Sequence, residues 1–181
     1  MNSYRRTNLP TVFLYPGEIH ISDKPTQIIT TLGSCVSVTM FNHRSNIGAI
    51  CHGALPRCRT NGDCRSPCIE AFKFTDCAVT YMLNRFKLLG IENKDIEVKI
   101  FGGADTLMSR SSNSIGTQNV KTALHILGKA KLRVIAADVG DSFGRKLVFF
   151  SHTGEAFLKR LKNGNHHSAI NEQKNKSSDH R

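Results

Sequence analysis

Two residues with reactive side chains stand 17 positions apart: Cys35, in ITTLGSCVSVTMF (Ile29 to Phe41), and His52, in IGAICHGALP (Ile47 to Pro56). Aliphatic residues would serve either strand-like run better as core, so the chemistry of the pair comes first. A free thiol is mostly protonated at neutral pH and is a poor nucleophile in that form. A neighbouring imidazole can take the proton and leave a sulfur competent to attack a carbonyl carbon. Gly33 and Ser34, just before the cysteine, allow a tight turn whose backbone N–H groups could stabilise the oxyanion that such an attack forms.

Whether the two side chains meet depends on the turn between them. The runs on either side of Asn42 to Asn46 read as the two strands of a hairpin. A four-residue loop of Asn42 to Ser45 places Cys35 directly opposite His52. A loop of His43 to Asn46 places His52 opposite Ser37, with Cys35 on the adjacent diagonal. In both registers the side chains share a face, with Cβ atoms about 4.5 to 8 Å apart. A five-residue loop would put them on opposite faces. The competing reading of each residue is structural, a small core thiol and a hydrogen-bonded histidine, and Cys51 fits that description. His43 and His152 fall in expected turns and His125 on an expected helix, as solvated or structural residues.

Around this hairpin, residues 1–20 read as an irregular arm. FTDCAVTYMLNRFKLLG has helical spacing, with Ala78, Met82 and Phe86 four apart, Thr75 as N-cap and Gly90 as stop. Ile96 to Phe101 reads as a strand ending in Gly102-Gly103, a close-packed turn that fits no phosphate-binding fingerprint. SIGTQNVKTALHILGKA reads as a second helix, with Val120, Leu124 and Leu127 on one side. LRVIAADVG is a strand, and KLVFF, SHTG and EAFLKRL make a closing hairpin. The order argues for one α/β sandwich domain over 1–161 with mainly antiparallel or mixed sheets, followed by a disordered polar tail over 162–181.

The remaining cysteines, Cys58, Cys64, Cys68 and Cys77, do not have the spacing of paired zinc knuckles and read as free surface thiols, with three thiolates gathered by a loop around a metal, or a redox sensor, as the alternatives. No metal or cofactor is expected. The apolar stretch in MNSYRRTNLPTVFLYPGE is too short for a signal peptide and is closed by Pro16, so a reducing cytoplasm is expected. No apolar run is long enough to insert in a membrane. The 25 basic and 14 acidic residues give +11, a balance that suits an acidic partner. Without an aromatic-interleaved basic element, nucleic acid is not the expected one.

TTLGSCVSVTMF and IGAICHGALP, with KIFGGADTL, SIGTQNV and LRVIAADVGDSFGRKLVFFSHTGEAFLKR, resemble the bacterial chemoreceptor glutamine deamidases, CheD, over about Thr11 to Leu161. The resemblance implies an α/β/β sandwich similar to bacterial toxin deamidase domains. It implies hydrolysis of glutamine side-chain amides on methyl-accepting chemotaxis receptors, giving glutamate and ammonia through a thioester. By matching position Cys35 is the nucleophile and His52 the general base and later acid. The family's third polar residue is a threonine six positions before the cysteine, where this chain has Ile29. Thr31 shares the parity of that position in an extended strand and is expected to orient His52. A shorter or bulged strand would put Thr30 there instead. Some family members bind a CheC-type phosphatase, and a non-catalytic regulatory partner of such a phosphatase is the alternative reading.

Overall fold

The computed structural model of the protein describes residues 8–58, 70–105 and 114–161. The expected polar tail, and Cys64 and Cys68, lie outside the described residues.

Among the described residues nine strands and two α-helices follow in chain order: β1 (Thr11–Phe13), β2 (Ile19–Ser22), β3 (Gln27–Leu32), β4 (Val36–Asn42), β5 (Ile47–Cys51), α1 (Thr75–Leu88), β6 (Glu97–Gly102), α2 (Ile115–Lys129), β7 (Val134–Val139), β8 (Arg145–Phe150) and β9 (Ala156–Arg160). They form a five-stranded sheet in the order β2-β5-β4-β6-β7 and a four-stranded sheet in the order β1-β3-β8-β9. Pairing is antiparallel except β1 with β3 and β6 with β7. The expected α/β/β sandwich is the architecture found.

Side-chain alternation explains the layers, because neighbouring residues of a strand face opposite ways. On the outer face of the five-stranded sheet, Val36, Val38 and Met40 of β4, Ala49 and Cys51 of β5, and Val98 and Ile100 of β6 meet Ala78, Met82 and Phe86 of α1 and Ala123 and Leu127 of α2. On its inner face Ile50 and Phe101 meet Ile28 and Leu32 of β3 and Leu147 and Phe149 of β8. The central strand β4 is covered on both sides, and all its residues are buried.

Three expectations need correction. The stretch expected as an irregular arm over 1–20 contains β1 and the start of β2, and each pairs non-locally: β1 with β3, and β2 with β5 at the edge of the larger sheet. TVF and IHIS are too short to show periodicity, so their pairing partners alone define them. In α2, Leu124 is exposed, while the buried residues include Gly116, Asn119, Ala123 and Leu127. That stripe is interrupted by a polar residue, which hides it from a hydrophobicity count. Thr75 is the first residue of α1 and makes no cap bond there; its hydroxyl instead donates to Asn119 Oδ1 at 3.3 Å.

The candidate active site

The hairpin has the second of the two expected registers. Asn42 pairs with Ile47 across the loop His43 to Asn46, and Thr39 pairs with Ile50. The bridge between Val36 and Gly53 continues that register, which sets His52 opposite Ser37. Asn46 takes a left-handed conformation with φ 52°, and the Asn42 side chain closes the turn by accepting from the Ser45 N–H at 2.9 Å. The even loop length puts Cys35 and His52 on the inner face. Ile50, two residues before His52, belongs to the inner core, and Cys35 packs against that core.

His52 is 2% exposed and is fixed from both ends. Its backbone N–H donates to the Glu18 carbonyl at 3.0 Å, and its own carbonyl accepts from the Gly17 N–H at 2.8 Å. Its ring is fixed by Thr30, whose hydroxyl donates to the Leu14 carbonyl at 2.7 Å. A hydroxyl has one hydrogen, so Thr30 Oγ1 meets His52 Nδ1, 2.8 Å away, as an acceptor. The Leu14 carbonyl, 3.3 Å from the same nitrogen, is also an acceptor. Nδ1 therefore carries the ring hydrogen and Nε2 the lone pair. Nε2 is buried and has no hydrogen-bond partner among the described residues.

Thr31 does not do what was expected of it. It pairs with Lys146 on β8 and its side chain is exposed, whereas Ile28, Thr30 and Leu32 are buried. Parity fails because β3 and β4 belong to different sheets. At Leu32 to Ser34 the chain crosses the interface between them, so the inner face carries even-numbered residues of β3 and odd-numbered residues around β4. Counting back from Cys35 as if along one strand selects the wrong threonine.

Cys35 is half-buried at the mouth of this crossing, immediately before β4. The turn that carries it is held by its carbonyls. Gly33 O accepts from the Ala104 N–H at 2.8 Å and Cys35 O from the Gly103 N–H at 2.7 Å. Ser34 O accepts from Asn119 Nδ2 at 2.9 Å. Gly102, with φ 100°, sits so near that a Cβ there would lie 2.3 Å from Cys35 O. The expected close-packed Gly102-Gly103 turn is thus the backing of the cysteine loop.

Burial pushes the Cys35 thiol up, offset in part by a bond from its own backbone N–H. Burial also pushes His52 down, against the pull of its bond to the Leu14 carbonyl and the charge of Glu18. Both shifts favour neutral partners at rest. Such a pair offers a protonated thiol and a ring nitrogen with a free lone pair, and transfer between them can be coupled to nucleophilic attack.

The other candidates stay apart from this arrangement. Burial pushes Cys51 up to about 12, the behaviour of an inert core thiol. His43 pairs with Glu97 at 3.0 Å on the surface, and His152 packs edge-on against Phe150 in the β8–β9 turn. His125 is exposed on α2. The backbone N–H groups of Cys58 and Cys77 both donate to Asp76. Two site features were invisible in the sequence. The Leu14 carbonyl is a backbone group in a segment with no local signal. Asn119 was readable only as a polar residue on the buried stripe of α2.

Fold and site together define a three-layer sandwich that holds a thiol and an oriented imidazole on the face between its two sheets. The profile of the family described as CheD chemotactic sensory transduction matches residues 55–160, a span that begins after His52. Full-length relatives extend the likeness across both residues. The chain is 45% identical over 158 residues to the probable chemoreceptor glutamine deamidase CheD 2 of Geobacter sulfurreducens, covering 87% of this chain and 94% of that protein. It is 37% identical over 161 residues to the probable chemoreceptor glutamine deamidase CheD of Maridesulfovibrio salexigens, covering 86% and 95%. With the corresponding protein of Oleidesulfovibrio alaskensis it shares 35% over 161 residues, covering 86% and 74%. The chain belongs to the CheD family.

Proposed function

We propose that this protein is a chemoreceptor glutamine deamidase of the cytoplasm, acting on side-chain amides of methyl-accepting chemotaxis receptors. The observation that carries the chemistry is the fixed tautomer of His52, whose Nε2 lone pair has no partner among the described residues on the face that Cys35 shares. The names of the relatives carry the substrate class.

In the proposed reaction Cys35 Sγ attacks the carboxamide carbon of a glutamine while His52 Nε2 takes the thiol proton. The tetrahedral intermediate carries an oxyanion, which the Cys35 backbone N–H would stabilise once sulfur has bonded to carbon. Collapse breaks the C–N bond, His52 returns its proton to the leaving nitrogen, and ammonia departs to leave a thioester. Water then attacks the thioester with His52 as base, and proton return to sulfur releases glutamate and free thiol. Burial disfavours both charged forms at rest, and the imidazolium that forms along this path is met by Thr30 and the Leu14 carbonyl, which accept from its Nδ1–H. The charge of +11 favours encounter with glutamate-rich receptor helices.

Receptor cytoplasmic fragments incubated with the protein should gain the mass change of glutamine becoming glutamate at defined sites. Cys35→Ala and His52→Ala should leave those glutamines intact. Equal conversion by wild type and Cys35→Ala would remove the catalytic assignment.

A further inference from the structure

Asn119 is fully buried, and its amide is fully used. Its two Nδ2 hydrogens go to Ser34 O at 2.9 Å and Ala54 O at 3.1 Å, and its Oδ1 accepts from Thr75 Oγ1 at 3.3 Å. One side chain on α2 thus joins the turn before the cysteine, the segment after the histidine, and the first residue of α1. We propose that Asn119 is a positioning residue that sets the Cys35 loop and the His52 strand in register for catalysis and aims the Cys35 backbone N–H. This rests on the deamidase reading above.

The aiming follows from peptide geometry. In a planar trans peptide the C=O and N–H point in opposite directions, and no peptide bond among the described residues is cis. The Ser34 carbonyl and the Cys35 N–H belong to one such plane. Holding the carbonyl on α2 directs the N–H away from the helix, in keeping with the pull of that N–H on the thiol against its burial. An aspartate would supply no hydrogen to either carbonyl, and an apolar side chain would leave both carbonyls unpaired. The bond to Ala54 O extends the same control to the segment after β5, which carries His52 two residues earlier.

The test uses Asn119→Ala in the full chain, with kinetics of receptor-fragment deamidation and the pH profile of Cys35 alkylation by iodoacetamide, read by peptide mass mapping. Loss of an aimed oxyanion donor should lower kcat about 100-fold, with KM unchanged within about 2-fold because ground-state binding is not touched. Half-maximal alkylation should move to higher pH. Val79→Ala, in the same helix–sheet core, should lower Tm and leave both readouts as in wild type. An Asn119→Ala protein with wild-type kcat and alkylation profile, whatever its Tm, overturns the proposal. Should that variant not fold, Thr75→Val decides, since it frees Asn119 Oδ1 alone: a smaller shift in the same direction is expected, and a wild-type profile overturns it. Absence of Cys35-dependent deamidation in the wild type would defeat the functional reading, while the alkylation profile still judges the positioning role.

Discussion

The contact between Thr30 and His52, 2.8 Å from hydroxyl oxygen to ring nitrogen, crosses from one sheet to the other. Thr30 lies on β3 of the four-stranded sheet, and His52 follows β5 of the five-stranded sheet. The third participant, Leu14 O, comes from the segment between β1 and β2, which are themselves in different sheets. The ring orientation therefore depends on how the two sheets pack, and a shift of one against the other would turn the imidazole.

Thr30→Val keeps the shape of the side chain and removes the acceptor for Nδ1–H. A hydrogen bond to a charged group is worth about 1.5–3 kcal/mol, and this one gains its charge when His52 takes the thiol proton, so kcat should fall roughly 10- to 100-fold. Thr31→Val alters an exposed outer-face residue and should leave kcat within about 2-fold, as surface substitutions do. Steady-state deamidation of one receptor fragment by both variants measures this. A larger loss in Thr31→Val would reverse the assignment.

Burial holds His52 below its ordinary 6.5, and this fixes the sign of two pH effects. The base form persists into more acid solution than a free imidazole allows, so the acidic limb of kcat/KM should fall below that ordinary value. Stability runs the other way. Between 6.5 and the lower folded value the unfolded chain binds a proton that the folded chain refuses, so stability falls as pH drops through that window. Thermal melts from pH 7.5 to 5 should show a decline in Tm for wild type that is reduced in His52→Gln.

Much of the site was legible because it depends on local rules. A strand turns its side chains alternately, and an even loop keeps Cys35 and His52 on one face, so the pair could be placed from either of two registers. Choosing between Thr30 and Thr31 was not a local question. Gly33 and Ser34 signal a turn, but nothing in them says that the chain changes sheet there, and the parity count fails at that step. The same holds for β1 and β2, whose partners lie elsewhere in the chain. In α2 the helix itself was legible, but its buried face was misread at Leu124. Gly116 approaches the Gly103 and Ala104 carbonyls so closely that a Cβ there would lie 2.6 Å from each, and a buried amide replaces the apolar residue that periodicity seeks.

Two glycines should respond oppositely to the same methyl group. Gly102→Ala places a Cβ against Cys35 O and forces a side chain into a left-handed conformation, a strain of about 1–3 kcal/mol. Tm should fall and the Cys35 loop should shift, with kcat falling more than stability alone explains. Gly128→Ala near the end of α2 meets nothing within 4 Å and should gain up to about 1 kcal/mol from reduced backbone freedom in the unfolded chain. Denaturant melts and kcat for both variants provide the check.

The sheets are also tied by a charge. Asp138 on β7 accepts from Arg145 Nε on β8 at 2.7 Å and from Arg160 Nη2 on β9 at 2.8 Å. Both guanidiniums lie over the ring of Phe143, 4.9 and 4.7 Å from its centre. Burial works against the charge on Asp138, but the bonds from Arg145 and then Arg160 outweigh it and hold the carboxyl below its ordinary range. The stability it contributes is present above the unfolded carboxylate range and is lost as pH falls through the folded value. The Arg145 side chain is 1% exposed and that of Arg160 61% exposed, so the two arms differ in weight. Asp138→Ala leaves the Arg145 charge buried without its partner and should cost about 3–5 kcal/mol. Arg160→Ala removes a solvated arm and should cost about 0–1 kcal/mol. Urea melts at pH 7 measure both. Equal losses would mean that the buried guanidinium finds compensation from a group other than Asp138.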